Sequence, residues 1–245
     1  NAVWDDDALR YIEFALDLSS ALSENHQKLK TTYEKLSDYT SKKTPNQIEP
    51  DELKLIKGLI RKGEATAGAR YCGLNDDHIH FMDMPFYEKR KSTRKNIITE
   101  EDIAVTIAFL QTIKPHQIFA AGDFADPNGT HKVCFEAIKI ALERLRKTEP
   151  WALNCWVWLY RGAWHEWEVH DIEMAVPLSP QELERKRNAI FKHQSQKDKP
   201  VFPGDDAREF WVRAEERNKD MAVQYDHLGL ANYEAIEAFV KWKFD

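Results

Sequence analysis

The sequence predicts an α/β fold of three layers, α/β/α, built on a mainly parallel sheet, with a helical segment ahead of it. Three observations predict this. Short apolar runs that read as strands alternate with longer stretches of helical period, and such alternation favours parallel strands joined through helices. The run Ile118-Phe119-Ala120-Ala121 passes into Gly122-Asp123-Phe124-Ala125-Asp126-Pro127-Asn128-Gly129, which is turn chemistry, and a helix follows. The earliest strand-like run comes only near residue 78, so the first strands of such a sheet are expected to be missing. The expected organisation is a helical segment over 1–48 and an α/β domain over 49–245 that is incomplete at its N-terminal side.

The first helix opens on Asp5, Asp6 and Asp7 and carries Leu9, Ile12, Phe14, Leu16 and Leu18 on a broad apolar face. Residues 23–43 continue as a polar, helix-compatible stretch that Thr44-Pro45-Asn46 breaks. Pro50-Asp51-Glu52 opens a helix with Leu53, Ile56, Leu59 and Ile60 on one side, then the small residues Ala65, Ala67 and Ala69, and Gly73 ends it. Alternation over 78–84 predicts a strand closed by Pro85, and 86–95 a charged loop. Thr99 with Asp102 makes an approximate capping box for a helix whose buried stripe is Ile103, Ile107, Leu110 and Ile113. Lys114-Pro115 stops that helix before the strand at 118. Thr130 is the expected cap of the helix over 132–146. Strands are predicted over 153–160 and 169–176, and a charged helix from Ser179-Pro180 to 193–196. A helix from Asp205 through Phe210, Trp211, Ala214 and Met221 and a short amphipathic helix over 232–242 complete the chain.

The 245 residues are 42% hydrophobic and 31% charged, enough to bury a substantial core. A net charge of −6 and no basic stripe argue against a nucleic-acid partner. No apolar run is long enough to span a bilayer, so a membrane is not an expected partner. Cys72, Cys134 and Cys155 form no CxxC pair, which suggests reduced thiols and a cytoplasmic setting. Five of the eight tryptophans fall within 151–167, which marks that stretch as a candidate interface for a homo-oligomer.

The sequence has no HExxH, G-x-S-x-G, Walker loop or GxGxxG. His131 follows the turn at 122–129, and ligands of open α/β sheets bind beyond the carboxyl ends of strands. It reads either as a site residue or as an ordinary residue where a helix starts. Asp123 and Asp126 read as turn-stabilising residues, with a metal-ligand role as the sharper alternative. His193 reads equally as a site residue or as a cation at a helix end, and Arg61 as an ion-pair residue or a substrate clamp. Tyr160, Arg161, Trp164 and His165 suit either a sugar ring or core packing. His78 and His80 read as structural.

The strand, turn and helix around His131, the later Lys192-His193-Gln194-Ser195-Gln196, and the helix from Arg61 and Glu64 to Gly73 resemble the PIG-L/LmbE family. Its members are metal-dependent de-N-acetylases acting on amino-sugar conjugates, and the resemblance covers roughly residues 50 to 200. More narrowly, 123–131 and 158–167 resemble the carboxy-terminal part of Bacteroidetes proteins that fuse a glucosamine-6-phosphate deaminase domain to a PIG-L-like domain. The resemblance implies a Rossmann-like fold, an amino-sugar or sugar-phosphate ligand, and a linked or associated deaminase domain. It implies His131 as a zinc ligand and His193 as the catalytic residue touching substrate or oxyanion; Asp126, read from the turn itself, is the candidate second ligand. Arg61 matches the family's helix arginine, and Asn128 replaces the first histidine of its H-x-x-H segment. The family's first motif, His-Pro-Asp-Asp, which supplies the other ligands and the general base, is absent. The chain is therefore expected to be a fragment that binds zinc weakly or not at all. The two functions to weigh are a zinc-dependent N-deacetylase of amino-sugar metabolism and a catalytically inactive sugar-phosphate-binding or regulatory domain.

Overall fold

The computed structural model describes residues 2–22, 26–44, 47, 49–88, 97–124, 129–162, 165–196 and 208–244. Its helices are, first, α1 (Ala2–Leu22), α2 (His26–Lys42), α3 (Asp51–Tyr71), α4 (Pro85–Glu88) and α5 (Glu100–Ile113). Then come β1 (Gln117–Ala121), α6 (Thr130–Leu145), α7 (Pro150–Leu153), β2 (Trp156–Tyr160), β3 (Met174–Leu178), α8 (Pro180–Phe191), α9 (Phe210–His227) and β4 (Ala235–Trp242). The chain divides into two units, one from residues within 1–80 and 185–201, the other from residues within 81–184 and 202–245. Cys72, Cys134 and Cys155 are free thiols.

The first unit is helical. α1 packs on α3, and Arg70 of α3 holds both carboxylate oxygens of Glu13 at 3.0 Å. α2 is tied to α3 by Lys35 and Glu52 at 2.8 Å. Gly73, at φ +95°, ends α3: its N–H donates to the Arg70 carbonyl at 2.9 Å, and the Leu74 N–H reaches back to the Ala69 carbonyl at 3.1 Å. This pair of bonds is a Schellman motif, and a left-handed backbone there suits glycine. After α8 the chain leaves helical geometry, so the predicted continuation to 193–196 is a turn.

The second unit holds a four-stranded sheet of order β1-β2-β4-β3. β1 and β2 run parallel, with Phe119 opposite Trp158 and Ala121 opposite Tyr160. β4 runs antiparallel to both β2 and β3. The α/β class holds, but the sheet is mixed where the alternation of elements predicted a mainly parallel one. The strand responsible is β4, which the sequence reading made an amphipathic helix over 232–242. Ile236, Ala238, Val240 and Trp242 alternate with Glu237, Phe239 and Lys241, but the near-continuous apolar content of a strand between two others satisfies a helical period as well.

One face of this sheet is the core. Leu110 of α5 and Phe135, Ala141, Leu142 and Leu145 of α6 pack on Ala120, Val157 and Leu159. A second cluster sets Met221 and Ala222 of α9 on Ile236 and Ala238 of β4. Thr99 and Asp102 form the predicted capping box at α5, and the buried Asp102 also accepts the Phe86 N–H at 2.9 Å. α8 begins with a second reciprocal cap, Ser179 with Glu182.

Other expectations are corrected. Residues 79–84 join no strand among the described residues; a 3₁₀ turn at Asp76–His78 precedes them, and Asp83 at φ +43° interrupts the extended backbone. The strand expected over 169–176 is a 3₁₀ turn, Val169–Asp171, followed by β3, and the one over 153–160 begins only at Trp156. Thr130 is the first helical residue rather than the cap: Gly129, at φ +66°, takes the N-cap position with no side chain to offer. Asp205 lies outside the described residues.

Candidate functional site

The carboxyl ends of β1 and β2, side by side because the two strands are parallel, meet in a tight corner. The Gly122 N–H donates to the Tyr160 carbonyl at 2.7 Å, which carries the pairing one residue past β1. Arg161 Nη1 donates back to the Gly122 carbonyl at 3.0 Å. The buried Asp123 turns inward and its Oδ2 accepts the Gly162 N–H at 2.5 Å. The Arg161 guanidinium lies 3.9 Å from the ring centre of Trp167, and the Trp167 indole N–H donates to the Leu159 carbonyl at 3.2 Å.

Two glycines make this corner buildable. A Cβ on Gly122 would come 2.8 Å from Cζ2 of Trp167, and one on Gly162 would overlap Asp123 Oδ2. Any side chain there would push apart the groups the corner brings together.

The corner is polar and incompletely satisfied. Asp123 Oδ1 stands 3.7 Å from Arg161 Nη1, a loose ion pair. That oxygen and Arg161 Nε are buried without a hydrogen-bond partner among the described residues. Burial first, then the Asp123 and Glu237 carboxylates, push the Tyr160 phenol above its ordinary value and keep it protonated. A guanidinium on an aromatic face, a carboxylate and a phenol form a donor and acceptor set for a polyhydroxylated or phosphorylated ligand.

Of the other expected residues in this unit, His131 is the second residue of α6 and is exposed, as is His165. Trp164, Asp126 and Asn128 lie outside the described residues. Among the described residues no group of three or more His, Cys, Asp and Glu side chains is placed to hold a metal ion. The described residues therefore do not make up the zinc site that the family resemblance implies; His131 is the one member of the expected ligand pair that can be located.

Arg61 and His193 belong to the first unit. Arg61 is exposed on α3, one turn before the buried Glu64. Glu64 receives the Ser195 N–H at 2.6 Å and the Ser195 hydroxyl at 2.7 Å. His193 Nε2 lies 3.4 Å from where a Cβ on Gly68 would sit, so α3 and the turn after α8 approach closely at a residue without a side chain. Glu64 and Gly68 share one face of α3 at helical spacing, and together they hold the His193–Ser195 turn against it.

Sequence reasoning treated Asp123 mainly as a turn residue and assigned no role to Glu64 or Trp167. The available signal was position: Gly122-Asp123 directly after one strand and Arg161-Gly162 directly after the next. It also missed a buried cluster in which Arg217 of α9 bonds Glu166 and, at 2.7 Å, Glu237 of β4. Those three residues are far apart in sequence, and no spacing announces them.

No family model matches the chain, so the PIG-L/LmbE resemblance rests on the motif residues alone. The chain is 45% identical over 244 residues to a protein of Bacteroides thetaiotaomicron named "Putative glucosamine-6-phosphate deaminase-like protein". That match takes in 98% of this chain and 36% of the relative, so the chain spans about a third of the length of the curated relative it matches.

Proposed function

We propose that this chain is the ligand-recognising α/β part of a longer protein of amino-sugar metabolism, and that its ligand is an amino-sugar phosphate. The observation that carries the reading is the corner of Asp123, Arg161 and Gly162 at the carboxyl ends of two parallel strands, where ligands of α/β sheets bind. Arg161 is held by Trp167 and the Gly122 carbonyl, so its remaining N–H groups can meet phosphate or hydroxyl oxygens at little further cost in order. The relative's name supplies the amino-sugar context.

Calorimetric titration with glucosamine 6-phosphate, against glucosamine and inorganic phosphate alone, tests this. Binding of the first, weakened about tenfold or more by Arg161→Met, is the expected outcome, since a charge-assisted contact contributes about 1.5–3 kcal/mol. Equal heats for wild type and Arg161→Met would refute the assignment.

A second reading, zinc-dependent N-deacetylation, is favoured by His131 at the start of the helix that follows β1. A bound zinc ion would supply Lewis acidity for amide hydrolysis. The chain as described supplies too few ligands, so the remainder would come from outside the described residues. Zinc titration separates the two readings: affinity weaker than micromolar is expected for this chain, and tight binding lost in His131→Ala would favour the hydrolase.

A further inference from the structure

β1 is the outer strand of the sheet, with no strand on its far side among the described residues. Its residues are Gln117, Ile118, Phe119, Ala120 and Ala121, an uncharged and mostly apolar run. Outer strands normally carry charges, proline or bulges that discourage further pairing, whereas apolar parallel strands normally lie inside a sheet. The face of the sheet opposite the α5 and α6 core is aromatic near β1. Phe119 is 50% exposed, Trp156 47% and Tyr160 37%. Phe119 meets Phe239 edge-on at 5.4 Å, and Lys241 sits 3.7 Å over the Trp156 ring.

We infer that the β1 edge and this aromatic face together seat one further strand and its crossover helix, supplied by polypeptide beyond the region matched here. A strand added parallel to β1 needs a crossover that lies on a sheet face. α6, the crossover from β1 to β2, already lies on the core face with α5. The aromatic face is then the one left for the incoming helix, which accounts for edge and face at once. A second copy of this chain paired along β1 would cover five residues of edge and leave Phe119, Trp156 and Tyr160 in water. The matched region is 36% of the Bacteroides relative, so ample chain lies outside it to provide the occupant. The inference rests on the chain working inside a longer polypeptide, and not on the identity of any ligand.

The test compares this chain with a chimera in which it replaces the matched region of the Bacteroides relative, by hydrogen exchange of the β1 amides. The chimera is expected to slow their exchange about tenfold or more relative to the isolated chain. Phe119→Lys in the chimera should restore the fast exchange, while Tyr33→Lys, on an exposed position of α2, should not. Unchanged β1 exchange in the chimera would overturn the inference, even where Phe119→Lys cannot be produced folded. So would protection in the isolated chain that grows with its concentration, which would assign the surface to a second copy, or with added sugar, which would make it a ring-stacking platform. A failed glucosamine 6-phosphate titration would overturn the ligand reading and leave this comparison intact.

Discussion

Two arginines in this protein each hold two carboxylates, and they behave differently. Arg70, in the helical unit, bonds Glu13 at 3.0 Å and Asp76 at 2.6 Å, and its side chain is 25% exposed. Arg217, in the sheet unit, bonds Glu166 and Glu237 with a side chain only 7% exposed. Arg70 draws the Asp76 carboxyl below its ordinary value. Glu166 moves the other way: burial raises it, Arg217 opposes, and Glu237 adds to the rise. The partner chemistry is the same, so the environment decides. A pair in water gains modestly from attraction, whereas two buried acids sharing one guanidinium leave a net negative charge in a medium that resists it. Asp123 with Arg161 is a third case, a buried acid beside a partly exposed arginine that does not fully meet it.

The largest expected effect comes from breaking the buried member of the comparison. Arg217→Met leaves Glu166 and Glu237 without their cation and should cost about 3–5 kcal/mol by urea unfolding at neutral pH. Arg70→Met should cost clearly less, because Glu13 and Asp76 are solvated. Equal losses would mean that burial does not separate the two sites. Next in size, Gly122→Ala forces a methyl against Trp167 and should cost about 1–3 kcal/mol, with Arg161 losing its stack. A near-zero change would show that the corner has slack.

The smallest effects, and the sharpest, are in pH dependence. A lowered carboxyl such as Asp76 contributes stability above its unfolded value of 3.8, and that contribution is lost as pH falls through the folded value. A raised carboxyl such as Glu166 has the opposite sign. Its contribution is complete below the unfolded value of 4.5 and is lost as pH rises through the folded one. Asp76→Asn should therefore flatten the acid limb of the stability curve, and Glu166→Gln the limb just above it. Urea midpoints from about pH 3 to about pH 7 check both signs. The same limb changing in both variants would undo the contrast.

Much of the site's scaffold is legible in the primary structure because it is local. The capping box of Thr99 and Asp102 spans three residues, the end of α3 at Gly73 is a backbone requirement, and the run into Gly122-Asp123 marks a strand ending in a turn. Arg161 is readable as a polar residue just past a strand. What it faces is not, because Trp167 and the Gly122 carbonyl reach it only through the pairing of β1 with β2. The grip of Glu64 on Ser195 joins residues 131 positions apart, and no periodicity encodes that.

The sequence by itself determined the start of α5 and the end of α3, since a capping box and a left-handed glycine act within a few residues of backbone. It also determined the α/β class, through strands and helices of distinct period. Tertiary structure alone decided that β4 is a strand between β2 and β3, which makes the sheet mixed. The apolar residues of β4 fit a helical period as well as an alternating one, so its neighbours had to settle it. Tertiary structure also set the ionisation of Glu166 and the company of Asp123, because burial and long-range approach belong to the packed chain.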